Sequence, residues 1–181
     1  KLYQDIGLIN APVFMQGFVD GNTVRFYDPG LRLPGGEYER MFTIATGKNP
    51  LFPLIEFALT GKVTDEFMTF DENDIWINNK VVGQVLPTLA QGKIAKIEGL
   101  DKIRERKEVV ALFERFSVGD EIIATKNVNQ RFCEIDLVCD SAQEMKEVAD
   151  YIYDTLKILD ENGKDMLVSK FDTNVYLNRV I

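Results

Sequence analysis

Two kinds of hydrophobic pattern divide this chain. Residues 12–20 and 23–28 alternate in a strand-like way around Asp20-Gly21-Asn22, a turn signal between two strands, and so predict a β-hairpin. Residues 29–36 are rich in proline and glycine and predict a loop. Residues 37–46 have helical spacing closed by Gly47, and Asn49-Pro50 opens a second helix over 51–59, with Pro50 near its first turn. Leu54, Ile55, Ala58 and Leu59 make the expected buried stripe of that helix, and Gly61 ends it. Residues 64–79 are acidic, contain the only tryptophan, Trp76, and predict a linker with one short helical turn. Phe67, Met68, Phe70 and Trp76 cluster there and are expected to pack as core or as a domain contact.

From about residue 80 the pattern tightens into short apolar runs between turns. Strands are expected over 81–89, 93–98, 108–116, 121–125 and 131–139, with turns at Gln91-Gly92 and Val118-Gly119-Asp120 and a short helix over 100–104. The clearest helix follows. Ser141 is a strong N-cap and Glu144, three residues on, completes a capping box. Met145, Val148, Ala149, Ile152, Leu156 and Leu159 give it a core stripe at helical period. Asn162-Gly163 is a turn, residues 166–171 a last strand, and residues 172–181 give no clear pattern. Together these predict an α+β chain: a hairpin with helices, then a small antiparallel α+β subdomain.

Composition narrows the function. The chain has 181 residues, 45% of them hydrophobic, enough for a packed core. Its net charge of −8 disfavours nucleic acid and anionic membrane surfaces, both of which need Lys and Arg to neutralise phosphate. The basic run 102–107 is broken by Glu105 and fits a solvated helix face. No stretch is apolar enough to cross a membrane, and the first residues lack a signal-peptide pattern. The absence of histidine excludes histidine-ligated zinc, Ser-His-Asp triads and Cys-His pairs within this chain. Cys133 and Cys139 fall on one face of an expected strand, too far apart to bridge, and fit reduced packing residues of a cytoplasmic protein.

The chemistry concentrates in residues 16–36, QGFVDGNTVRFYDPGLRLPGG. They bring an amide (Gln16), a carboxylate (Asp28) and a guanidinium (Arg32) to one end of the hairpin. Magnesium prefers oxygen ligands and keeps phosphate oxygens in its shell, and arginine matches phosphate or carboxylate bidentately. Each residue also has a structural reading. Asp28 can be a strand-ending acid before proline, Arg32 a surface cation, and Gln16, on the face of Phe14 and Phe18, a hydrogen-bonded core residue. Gly35 and Gly36 can serve the loop's conformation alone, because no strand–loop–helix phosphate fingerprint surrounds them.

These residues carry a family resemblance. The segment resembles the last part of an ATP-grasp domain, where a hairpin ends in a Glu-x-Asn-x-Arg motif followed by small residues. The corresponding run is Asp28-Pro29-Gly30-Leu31-Arg32, then Leu33-Pro34-Gly35-Gly36. Gln16 falls where the ATP-grasp part of carbamoyl phosphate synthase large subunits has a metal-binding glutamine. Ala45-Thr46-Gly47 and the apolar helix after it resemble the same family's continuation. The likeness spans residues 12–61 and extends more loosely over the rest. It has departures: Asp28 is one methylene shorter than glutamate, Gly30 replaces an asparagine that helps hold a second metal ion, and Pro29 removes a backbone donor.

The resemblance implies that residues 1–63 are the C-terminal part of an ATP-grasp domain, 64–80 a linker and 81–181 the small C-terminal subdomain. The opening Lys1, and a helix end implied by the spacing of Leu2, Tyr3, Ile6 and Gly7, suit a piece of a longer protein. The implied activity is an ATP-dependent ligase that activates a carboxylate or bicarbonate as an acyl phosphate and joins it to an amine. In that role Asp28 and Gln16 would hold magnesium, Arg32 would be catalytic and, with Gly35 and Gly36, would contact the nucleotide. The cofactor would be magnesium with ATP as substrate, and the partners ATP and a small carboxylate, with no nucleic acid or membrane; a homodimer stays open. The family's adenine contacts and phosphate-binding lysines lie N-terminal to this chain, so the piece alone is expected to be inactive and to bind ATP weakly. Two other readings stand beside this one: a non-catalytic dimerisation or docking module of a degenerate ATP-grasp protein, and an unrelated α+β binding domain.

Overall fold

The computed structural model describes residues 2–8, 11–36, 38–64, 77–125, 127–168 and 170–177. Lys1, the cluster of Phe67, Met68, Phe70 and Trp76, and the tail from residue 178 lie outside the described residues. The chain divides into two compact units, Lys1–Glu39 with Pro50–Met68, and Arg40–Asn49 with Thr69–Ile181.

The first unit begins with α1 (Leu2–Asp5), closed by a bond from the Gly7 amide to the Gln4 carbonyl at 3.0 Å. Strands β1 (Phe14–Asp20) and β2 (Thr23–Gly30) then pair antiparallel. Asp20 pairs with Thr23, which leaves a two-residue turn whose first position, Gly21, has φ +55°, a left-handed value that glycine takes without strain. The register shifts between Gln16 and Gly17, so Tyr27 is the extra residue of a β-bulge. β2 also runs two residues past its expected end. Pro29 sits opposite Met15, tolerated because a two-stranded ribbon leaves every strand an open edge.

Helix α2 (Tyr38–Thr46) starts in this unit and α3 (Leu51–Thr60) lies within it. The stripe expected on α3 is not buried: Leu54 is partly covered, Ile55 and Ala58 are exposed, and Leu59 is 80% exposed. Phe52 and Phe57 on its other sides are exposed too. A helix apolar all round has no single inward face, and nothing among the described residues encloses this one. No described residue of the first unit is buried at all.

The second unit holds the core. In chain order it contains β3 (Val81–Val85), β4 (Gly92–Glu98), α4 (Leu100–Arg104), β5 (Val109–Glu114), β6 (Glu121–Ile122), β7 (Cys133–Cys139), α5 (Ala142–Thr155) and β8 (Lys157–Asp160). They form two antiparallel three-stranded sheets, β3-β7-β5 and β6-β4-β8. Cys133, Ile135, Leu137 and Cys139 line one face of the central β7, and α5 packs there through Met145, Val148, Ala149 and Ile152. Each fully buried large aliphatic side chain contributes about 1.5–3 kcal/mol relative to exposure.

Several expected boundaries moved. The strand beginning at Val81 stops at Val85, because Pro87 has no N–H; Thr88 and Leu89 instead make single bridges to Arg131 and Leu167. The helix expected through Leu159 ends at Thr155. Ile158 is buried and pairs with Ile97, so residues 157–160 form the edge strand β8, its short apolar run hidden in the helical stripe. The strand expected over 166–171 is reduced to the Leu89–Leu167 bridge, and that expected over 121–125 to two residues.

The capping box of α5 forms with a variation. Ser141 Oγ accepts from the Glu144 amide at 3.1 Å, while Glu144 Oε2 reaches one residue beyond the cap, to the Asp140 amide at 2.6 Å. Residues 40–46 of α2 pack in this unit through buried Met41 and Ala45 and through Arg40, whose guanidinium lies 5.1 Å from the Phe113 ring centroid. Before β3, Ile77, Asn78 and Asn79 all have left-handed φ (48°, 51° and 58°), costly for the β-branched Ile77. The Asn78 amide anchors that turn to the Ala45 carbonyl at 2.8 Å.

Candidate functional site

The hairpin ladder brings two of the expected site residues together. Gln16 is the direct cross-strand partner of Asp28, and Phe14 of Gly30. Residues directly opposite in an antiparallel pair project to the same side, so Phe14, Gln16 and Asp28 share one ribbon face. The bulge adds Tyr27, whose ring stacks on Phe18 with centroids 4.8 Å apart. Gln16 and Asp28 are both exposed.

Arg32 follows on the loop after β2. Its guanidinium lies 4.7 Å from the centroid of Phe14, and Nη1 donates to the Leu33 carbonyl at 2.9 Å. The ring that seats the arginine is therefore the neighbour, on the same face, of Gln16. Among the described residues no carboxylate pairs with Arg32, no cation pairs with Asp28, and the Gln16 side chain makes no hydrogen bond. The charged pair on this ribbon is Arg25 with Asp20, 3.9 Å apart at the far, turn end and fully in solvent, where such a pair contributes little.

Gly30 shows why the loop begins where it does. A Cβ placed there would stand 2.6 Å from Cδ1 of Phe14 and closer still to Cε1, so the edge of the ring occupies the space a side chain would take. Gly35 has open space around it, whereas Gly36 has φ +97°. The first leaves room for a ligand against the backbone, and the second fits a turn only glycine adopts easily.

For magnesium, these residues fit one ion. A single carboxylate with an amide beside it suits a cation that keeps waters and phosphate oxygens for its remaining positions. Among the described residues no group of three or more His, Cys, Asp or Glu gathers as a fuller cage. A second ion finds no side-chain oxygen donor at residue 30, where the Phe14 ring occupies the space.

The second unit has its own groove, about 220 Å³, between α2 and the start of α5. Lys80 pairs with Asp140 there, and Lys107 with Glu144 at 3.1 Å. Lys80 holds the Asp140 carboxyl below its usual range, and the Asp140 amide, then Lys107, do the same for Glu144. The Glu144 carboxylate in turn raises Lys107. Nothing in the local sequence flags this groove, because its walls come from distant segments. The two cysteines are inert by burial, which pushes both thiols up to about 12.

No family model matches the chain, and no curated protein does. Solved structures match it well. An L-amino acid ligase from Bacillus licheniformis superposes with a TM-score of 0.72 at 21% identity, covering 88% of this chain and 38% of the ligase. Phosphoribosylglycinamide synthetase from Anaerococcus prevotii superposes with a TM-score of 0.66 at 16% identity, covering 88% of this chain and 39% of its own.

The chain has the ATP-grasp fold over the part that superposes.

The chain spans about two fifths of the length of these ATP-grasp structures. The mixed helix and sheet architecture with small antiparallel sheets agrees with the fold expected from the motif at residues 28–36. No described helix is long and apolar enough to cross a membrane. What the sequence motif did not reveal is the bulge at Tyr27 and the seat of Arg32 on Phe14, since neither is a matter of spacing along the chain.

Proposed function

We propose that this chain is part of an ATP-dependent carboxylate–amine ligase, in which the β1–β2 ribbon serves the phosphates of ATP and the acyl phosphate made from them. The observation that carries this reading is the trio on and beside one ribbon face: amide, carboxylate and guanidinium, with no ionic partner for Asp28 or Arg32 among the described residues. Opposite charges close in sequence that leave each other alone suit a ligand with both a cation and an anion, such as a magnesium-bound phosphate.

In this reading Asp28 and Gln16 hold one magnesium ion. The ion would supply neutralisation of phosphate charge. Arg32 steadies the transferring group with a bidentate, permanently charged donor. Gly35 lets the loop backbone approach the ligand. Together these act by positioning and electrostatics, which phosphoryl transfer chiefly requires. The carboxylate and the amine are substrates, held by residues other than these. Buried, reduced cysteines suit a cytoplasmic setting.

A second reading has a specific observation behind it. Gly30 offers no donor and Asp28 is short, which favours a degenerate, non-catalytic docking module. Manganese titration of the full-length protein with ATP, followed by electron paramagnetic resonance, separates the two. The ligase reading expects bound manganese that Asp28→Asn weakens; no ATP-dependent manganese binding supports the docking module.

A further inference from the structure

We propose that Phe14 is a positioning residue for Arg32, and that Gly30 is glycine because any side chain there would unseat the Phe14 ring. The inference rests on the reading of Arg32 as the anion contact and goes beyond it, by assigning roles to two residues that touch no ligand themselves.

The chain of contacts is short. Phe14 is the cross-strand partner of Gly30, and its ring covers the position where a residue-30 side chain would stand. The same ring carries the Arg32 guanidinium, 4.7 Å from the centroid. Arg32 is exposed and sits in a loop of small residues, Leu33-Pro34-Gly35-Gly36, where a long side chain would otherwise sample many rotamers. The ring and the Leu33 carbonyl, at 2.9 Å, are the two groups that restrict it. A guanidinium stacked on an aromatic face keeps its edge N–H groups free for an anion in the same plane, so seating and binding do not compete. The ring also closes position 30 to a side-chain oxygen donor, so Phe14 bears on both that position and the placement of the fixed positive charge. The ligand class is a phosphoryl or acyl-phosphate anion beside a single divalent cation.

The test uses the full-length protein and calorimetry with magnesium ATP, alongside ATP turnover. Phe14→Leu keeps bulk but removes the aromatic face, and should weaken binding about fivefold. Phe14→Tyr and Phe14→Trp should restore it, an outcome a purely structural role would not give, because Trp fits a packing site worse than Leu. Gly30→Ala should match Phe14→Leu, and the double variant should be no worse than either, as expected for two changes acting through one guanidinium. Arg32→Ala should cost roughly tenfold or more and make Phe14→Leu silent. If Arg32→Ala binds as the parent does, the anion role of Arg32 fails and this inference with it. If Arg32→Ala weakens binding while Phe14→Leu and Gly30→Ala do not, or while their effects add fully, the positioning role alone is overturned. Circular dichroism of each variant confirms that the fold is kept.

Discussion

Gln16 faces Asp28 directly across the β1–β2 ladder, and neither side chain has a hydrogen-bonding or ionic partner among the described residues. Polar groups aligned on one face and left unengaged are available to a ligand, and this relationship underlies the functional reading.

The apolar surface of the first unit predicts a partner. Leu59 is 80% exposed and Phe18 67% exposed, and a two-stranded ribbon is marginal on its own. In residues 1–181 alone, Leu59→Ser should change stability by no more than about 0.5 kcal/mol. In the full-length protein the same change should cost roughly 2 kcal/mol or more, if the rest of the polypeptide covers α3. Urea denaturation of both lengths checks this; equal effects in the two would contradict it.

Asp150 predicts an acid-sensitive site. Lys146 first, with Thr173 and Lys170, lowers its carboxyl from 3.8 to about 2. A carboxylate with a depressed folded value adds stability that is fully present above the unfolded value and is lost as pH falls toward the folded one. The loss should therefore fall between about pH 4 and pH 2. Asp150→Asn should flatten that limb of the stability curve, measured by denaturant midpoints at pH 5 and pH 2.5. An unchanged limb would show that the contacts from Lys146, Thr173 and Lys170 do not persist in solution.

The cysteines predict silence. Cys133 and Cys139 are 0% and 2% exposed, and burial pushes both thiols up to about 12. Neither should react with Ellman's reagent at pH 8 in the native chain, and both should react in denaturant. Fast native labelling of either would place its strand elsewhere.

Much of this was legible in the sequence, for local reasons. Gly21 marked the hairpin turn, and Ser141 with Glu144 the start of α5, because caps and turns are written in adjacent residues. The Gln16–Asp28 pairing could not be read from alternation, because an unbroken ladder counted from the turn sets Gln16 opposite Tyr27 and only the bulge brings Asp28 there. Leu159 misled, because Leu156 and Leu159 also fit a helical stripe, and only the pairing of β8 with β4 shows where the helix stops. Leu54 and Ile55 misled differently: periodicity marks an apolar face but not what covers it. The Phe14–Arg32 contact was invisible, because a cation over a ring depends on χ angles and loop shape, not on spacing.

On the proposed function, residues 1–181 by themselves should bind nucleotide poorly. Residues 1–181 span about two fifths of the matched structures. Calorimetry of this chain with ATP and magnesium should show binding weaker than millimolar. Submillimolar affinity would mean that the nucleotide contacts assigned to the rest of the protein are already here.

The most direct test of the account is ATP turnover by the full-length protein carrying Asp28→Ala. Loss of a preorganised charged group at the phosphates should lower turnover roughly 100-fold with the fold intact. Turnover equal to that of the parent would contradict the assignment of the β1–β2 ribbon as the phosphate and magnesium site.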